Sequence, residues 1–273
     1  MKIIFNCHTE YDLENQFGRA EEIDSNKQSF EHLPIFLNWL NFLKIPMTFS
    51  IAVGGPFQER LLNYIQGRKI IFPLYSDLGI HCHSEKFKNS QWQFTGFLKE
   101  SEYSSYFQLF EKVFGSRPKI IVFGKWQIDK SVMNFLWQLG IKKDGSFVDA
   151  QKVIAQPFFM DNVLEIPVIS FDGQPVNPLT RLSHFFLLRK IIKKYHPENL
   201  ILQIGFHSYD FFKFNQKPKL RLIKKIIFKN LLKMIRRYNL EITTLSKIEE
   251  THSEELEKVK MPFLGRLFNL LGH

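Results

Sequence analysis

Residues 76–85 read SDLGIHCHSE: an apolar run passes a glycine and then presents His81, Cys82, His83 and Glu85. Imidazole nitrogens and carboxylate oxygens are donors for a divalent metal. A hydrolytic zinc site takes about three of them and keeps one position for water, whose pKa falls toward ~7. If the segment is extended, His81 and His83 face the same way; if it turns helical after His81, Glu85 at i+4 is the companion instead. Both geometries keep His81. Alone, the H-x-H is equally well read as a pair of hydrogen-bonded loop histidines.

Two other segments offer compatible groups. NCHTEYD supplies Asn6, Cys7, His8, Glu10 and Asp12, and FHSYD supplies His207 and Asp210. Each follows a short apolar run. In parallel α/β folds the carboxyl ends of successive strands converge on the ligand, so these distant residues are expected to meet.

The elements that would position them alternate along the chain. KIIFNC and PMTFSIAV read as strands, and residues 30–44 between them place Leu33, Phe36, Leu37, Leu40 and Leu43 at helical spacing. Helices follow at 57–66, 101–114 and 129–139, with apolar runs at 69–72 and 78–82, KIIVF from Lys119 and a strand at Ile141. Residues 147–180 carry Pro157, Pro167, Pro175 and Pro178 and read as short strands and loops, VLEIPVIS being the clearest strand. A helix at 181–195, the buried strand NLILQIGF, a helix at 220–238 and the strand LEITTL complete the pattern. Such alternation predicts a mostly parallel sheet.

Length and composition bound the rest. With 273 residues, 44% of them hydrophobic, the chain can bury a sizeable core, and its 29 phenylalanines are expected to fill it. We expect one domain over 1–248 and a helical amphipathic tail over 249–273. No run is apolar enough for a signal peptide or a membrane span, and Cys7 and Cys82 form no disulfide framework. Those features predict a cytoplasmic location.

The net charge of +10 is local. Residues 211–240 hold ten basic residues and no acidic one. Arg221, Lys225, Lys229, Lys233 and Arg237 recur every four residues, with Ile223, Ile227, Leu231 and Met234 as the apolar companions. A cationic stripe attracts anionic lipid at ~1 kcal/mol per residue. The expectation is a peripheral contact with an anionic membrane surface, aided by MPFLGRLFNLLG in the tail; the plainer reading is a solvated outer face of a barrel helix. Nucleic acid is not expected, because the charge is confined and no recognisable module is present.

Taken in order, these pieces resemble the polysaccharide deacetylase superfamily, the NodB-homology or carbohydrate esterase family 4 group, with its relatives that act on lipid-linked or surface sugars. IIFNCHTEYD resembles its acidic first motif, IPMTFSIAVGG its second strand, and DLGIHCHSE its Gly-x-His motif. FGSRPKIIVFGKWQIDKSVMNFLWQLGIKKDGSF resembles the third motif, with LEIPV, LILQIGFHS and LEITTLSKIEE following in order. The resemblance implies a distorted (β/α) barrel of about seven strands. It further implies a divalent metal, usually zinc, held by one carboxylate and two histidines, and removal of an N-acyl group, acetyl or formyl, from an amino sugar.

Carried over, His81 matches the first metal histidine, Glu10 the metal carboxylate and His207 the late acid. His8 stands where the family has its base aspartate. The second metal histidine, normally four after the first, is Glu85 unless His83 serves, and the third-motif arginine appears as Val122. Lys125 and Trp126 are placed to line the sugar. The implied substrate is a polyprenyl-phosphate-linked or lipopolysaccharide precursor at the cytoplasmic face of the inner membrane. The alternative is a catalytically altered relative that binds a glycan or supports another envelope enzyme.

Overall fold

The computed structural model describes residues 1–11, 30–89, 91–94, 96–214, 218–249 and 255–256. Asp12 and nearly all of the expected 249–273 tail lie outside the described residues.

The first two strands form because their sequences are rich in β-branched and aromatic residues, and all three first strands are largely buried on both faces, as parallel strands are. They are β1 (Lys2–Thr9), β2 (Thr48–Gly54) and β3 (Asp77–His83). After β3 the chain makes a hairpin, β4 (Glu85–Lys88) and β5 (Gln91–Phe94), which the sequence pattern did not signal. Next come β6 (Ile120–Phe123), β7 (Lys143–Asp144), β8 (Phe158–Met160) and β9 (Val163–Glu165). The remaining strands are β10 (Ser170–Phe171), β11 (Gln174–Pro175), β12 (Ile201–His207), β13 (Phe212–Phe214), β14 (Pro218–Leu220) and β15 (Glu241–Thr243).

The main sheet runs β12-β1-β2-β3-β6-β7-β9-β8, with β15 also paired to β1. Every pairing in it is parallel except β8 with β9. Single parallel bridges from Val148 to Val168 and from Val168 to Gln203 of β12 carry the sheet back on itself. The result is a curled, distorted barrel with its inner face lined by alternate residues of β1, β3 and β12.

Among the described residues the helices are α1 (His32–Leu43), α2 (Arg60–Arg68), α3 (Glu100–Phe114), α4 (Met133–Gln138), α5 (Leu182–Tyr195) and α6 (Leu222–Arg237). In α1 the residues Leu33, Phe36, Leu37 and Leu40 are buried, the stripe the spacing predicted. Lys44 ends that helix in the left-handed region at φ 51°, donating its N–H back to Leu40 and Asn41. The predicted helix at 129–139 is a 3₁₀ turn followed by the short α4, because Asp129 accepts from the Ser131 N–H and caps a tight turn there. The run at 69–72 is not a strand: it follows α2 directly and pairs with nothing in the sheet. No helix among the described residues is long and apolar enough to cross a membrane.

The basic helix differs from its sequence pattern. Ile227 and Leu231 are buried and Met234 half-buried, but Ile223 is exposed, and the inward face is completed by Phe228, Leu232 and Ile235. Lys225 sits over the Trp39 ring, 5.9 Å from its centre, so it is not part of a free stripe.

Candidate metal and acid–base site

Strand geometry assembles the site. On β1, Asn6 and His8 alternate onto one face, and Glu10 follows just past the strand's end; on β3, His81 and His83 share a face in the same way, and β12 brings His207 opposite His8 in register. Because β3 stays extended through His83, whose register partner is Gly54 of β2, His83 and not Glu85 joins His81.

Glu10, His81 and His83 form a buried group that could hold a metal ion, with one donor atom from each lying within 4.8 Å of the others. Glu10 Oε2 is 2.9 Å from His83 Nε2 and 3.5 Å from His81 Nε2. The outer nitrogens are tethered. His81 Nδ1 donates to the Val122 carbonyl at 3.0 Å, and His83 Nδ1 donates to Glu85, 3.1 Å from Oε2. A carbonyl can only accept, which fixes His81 with its proton on Nδ1 and leaves Nε2 as the lone-pair donor. This is how metal-ligating histidines are held, by a carboxylate or backbone carbonyl on the far nitrogen. The donor set therefore fits a divalent ion, and two imidazoles with one carboxylate suit zinc.

His207 completes the cluster. Its Nε2 lies 3.2 Å from Glu10 Oε1 and its Nδ1 3.6 Å from Asp210 Oδ2. Asp210 is itself held by the His207 backbone N–H at 2.9 Å and by Asn177 Nδ2 at 2.7 Å. Ser208 donates to the Glu10 carbonyl at 3.1 Å, tying the end of β12 to β1. His207, with its side chain 30% exposed, is the cluster's opening to solvent.

The electrostatics separate the histidines. Burial raises the Glu10 carboxyl, but the facing His207 and the bonds to His81 and His83 outweigh it and hold it well below the carboxylate range. For His83, burial is likewise outweighed, and Glu10 and Glu85 push it up to about 9. Glu85, despite its own burial, is held down at about 2 by His83. His207 is raised against its burial by Glu10 and Asp210. His8 goes the other way: burial first, then the neighbouring His81 and His207, lower it well below the usual imidazole value. Its Nε2 is buried with no hydrogen-bond partner among the described residues.

Trp126 and Lys125 sit on an unusual turn. Both have left-handed backbones, φ 58° and 53°, a conformation that non-glycine residues adopt at a cost of order 1–3 kcal/mol. The turn sets the Trp126 ring 4.8 Å from the His8 ring. A Cβ on Gly205 would lie 2.5 Å from Trp126 Cη2, so only glycine in β12 admits that ring. Similarly, a Cβ on Gly124 would come within 2.7 Å of His83 Nδ1. Lys125 is half-exposed, its Nζ 3.9 Å from Glu85 Oε1.

Beyond Glu85 lies a cleft of about 540 Å³ lined by Arg60, Asn63, Phe87, Trp92 and Tyr106 among others. The supporting residues Asn177, Ser208, Gly124 and Gly205 were not singled out from sequence; only the glycine beside Lys125 and Trp126 carried a signal. Cys7 and Cys82 are buried and free, and burial pushes both thiols up, so neither ionises to a nucleophile near neutral pH.

The comparisons with known proteins agree with the architecture. No protein-family model matches the sequence, and no curated protein does either. Among solved structures, a Mycobacterium smegmatis protein provisionally described as a polysaccharide deacetylase superposes with a TM-score of 0.59 at 12% identity, covering 99% of this chain and 91% of that one. A GH57-type branching enzyme from Pyrococcus horikoshii gives 0.50 at 10% identity, covering 97% and 73%. The α-amylase AmyC from Thermotoga maritima gives 0.50 at 11%, covering 94% and 77%. The chain has a NodB-like fold, which the branching enzyme and the α-amylase share in outline. Fold alone does not choose among these chemistries; the site must.

Proposed function

We propose that this chain is a metal-dependent hydrolase that removes an N-acyl group, acetyl or formyl, from an amino sugar. The observation that carries the reading is the tethering of His81 and His83 through Nδ1, to Val122 and Glu85, which leaves both Nε2 atoms aimed at Glu10. Glycosidic cleavage is disfavoured by the same cluster. It needs a carboxylic acid of raised pKa to protonate the leaving oxygen, whereas Glu10 and Glu85 are both held ionised by histidines.

Glu10, His81 and His83 would hold the ion, with zinc as our assignment. When bound, it supplies a Lewis acid that polarises an amide carbonyl and makes water a better nucleophile. His8, neutral and with Nε2 unpartnered, takes the proton that attacking water loses. His207, whose pKa Glu10 and Asp210 raise against its burial, donates to the nitrogen as the C–N bond breaks, giving a free amine and a carboxylate. Trp126 covers His8 from water and, with Lys125, faces the sugar.

We place the substrate on a polyprenyl-phosphate or lipopolysaccharide precursor, and the chain at the cytoplasmic face of the membrane. The basic α6 supports this, as does the polar and aromatic cleft beside Glu85, of a size that suits saccharide rings. One observation favours a second reading, a fold that binds a glycan without cleaving it: the depressed basicity of His8 makes it a weak base.

The test is release of acetate or formate from N-acetyl and N-formyl hexosamine substrates by zinc-loaded protein, with and without chelator, beside His207→Ala. Zinc-dependent release that falls at least 100-fold in the variant supports hydrolysis. Glycan binding without release selects the second reading, and release that is indifferent to both zinc and His207 overturns the first.

A further inference from the structure

We infer that the groove between α5 and α6 is a phosphate-binding site that seats the headgroup of an anionic phospholipid and so docks this face of the chain on a membrane. This deepens the membrane placement proposed above and is independent of the hydrolytic chemistry.

The cations of the 211–240 segment are not spread along a helix face in the structure. Lys225 is turned over Trp39, and Lys224 donates to the Leu179 carbonyl. Lys233 and Arg237 instead face Arg189 and Lys193 of α5 across a groove of about 380 Å³. Phe185, Met234 and Tyr238 supply its apolar walls, Asn230 is its neutral polar member, and no carboxylate among the described residues lines it. Neither helix contains an acidic residue.

Four like charges around a concave space repel one another and focus a positive potential into it, and an anion placed there relieves that repulsion. The two guanidiniums offer forked donors that match phosphate oxygens, and the two ammoniums add point charges. A lone surface stripe lacks this concavity.

The same face of α6 carries the second half of an amphiphile's requirements. Leu222, Ile226, Asn230, Lys233 and Arg237 follow one another at intervals of three or four residues and so share one side of the helix. Leu222, Ile223 and Ile226 are 70%, 55% and 43% exposed, an aliphatic patch on the turns preceding the groove. From Ile226 to Asn230 is about 6 Å along the axis. An anionic head in the groove would thus lie beside aliphatic side chains able to enter the acyl boundary. Nucleic acid would use the cations and leave the aliphatic patch without a role.

The experiment is sedimentation of the full chain with vesicles of phosphatidylcholine alone and of phosphatidylcholine with phosphatidylglycerol. Arg189→Ser/Lys193→Ser is compared with Arg221→Ser/Lys229→Ser, a charge-matched pair outside the groove, both checked for unchanged circular dichroism and zinc uptake. We expect binding only to the anionic vesicles, a loss of at least tenfold in the groove variant, and a loss of threefold or less in the control. A Leu222→Ser/Ile226→Ser chain should also lose binding. Equal losses in the two charge variants would overturn the groove while leaving a diffuse membrane contact. No vesicle binding at all, or displacement by duplex DNA at equal phosphate concentration, would each overturn the docking itself.

Discussion

His83 Nε2 and His81 Nε2 converge on a single carboxylate oxygen, Oε2 of Glu10, at 2.9 and 3.5 Å. With its proton on Nδ1, His81 turns an Nε2 lone pair toward that oxygen, so a divalent cation that displaces the His83 Nε2 proton would find two imidazoles and a carboxylate facing it. Titration with zinc, followed by competition against a chromophoric chelator, should give one ion per chain. Glu10→Gln, His81→Ala and His83→Ala should each weaken uptake by 100-fold or more, since each removes one of about three protein ligands. A parent protein that takes up no zinc sinks the metal assignment.

Glu85 acts through His83. Its carboxylate accepts from Nδ1 and aims Nε2, and loss of such a partner typically costs 10–100-fold in metal affinity. We therefore expect Glu85→Gln to fall in that range, well short of the His83→Ala loss, with the stoichiometry unchanged. If Glu85→Gln abolished uptake altogether, Glu85 would have to be a ligand in its own right.

Two glycines are steric preconditions of the site. Gly124→Ala places a methyl 2.7 Å from His83 Nδ1, so it should displace the ring and weaken zinc binding about tenfold or more with little change in melting temperature. Gly205→Ala meets Trp126 at 2.5 Å and should be read in tryptophan fluorescence instead, as the indole is driven off His8. Normal zinc affinity in the first and an unchanged spectrum in the second would show that the neighbours yield freely.

These relationships mark how far the sequence could be read. His81 was legible because an apolar run delivers it to a strand end, and Glu10 and His207 because they lie at the ends of two other such runs. The choice between His83 and Glu85 was not, since it depends on whether the chain stays extended past His81, which the pairing of β3 with β2 as far as Gly54 decides. The perching of Trp126 on Gly205 was hidden too, because two left-handed residues in succession have no propensity signal. The basic helix was legible as charge but not as a site, for half of its groove comes from Arg189 and Lys193 on another helix.

Register also brings together a pair that no local pattern marks. Asp144 of β7 stands opposite Glu165 of β9, and both are fully buried, with no cationic partner among the described residues. Burial pushes Asp144 up to about 6; burial and then the neighbouring Asp144 push Glu165 well above its usual value. A carboxyl whose pKa is raised in the folded state binds its proton more tightly there than in the unfolded chain. Its stabilising contribution is therefore complete below the unfolded pKa of ~4 and is lost as pH rises through the folded value. Stability should consequently decline from about pH 4 upward, through about 6 for Asp144 and higher for Glu165. Glu165→Gln mimics the protonated acid and keeps an oxygen to accept the Phe147 N–H, which now reaches Glu165 Oε1 at 2.9 Å. The variant should match the parent within ~0.5 kcal/mol near pH 5 and melt roughly 3–6 °C higher near pH 9. Thermal melts across that range check it, and parallel curves for the two proteins would mean that the pair holds no shared proton.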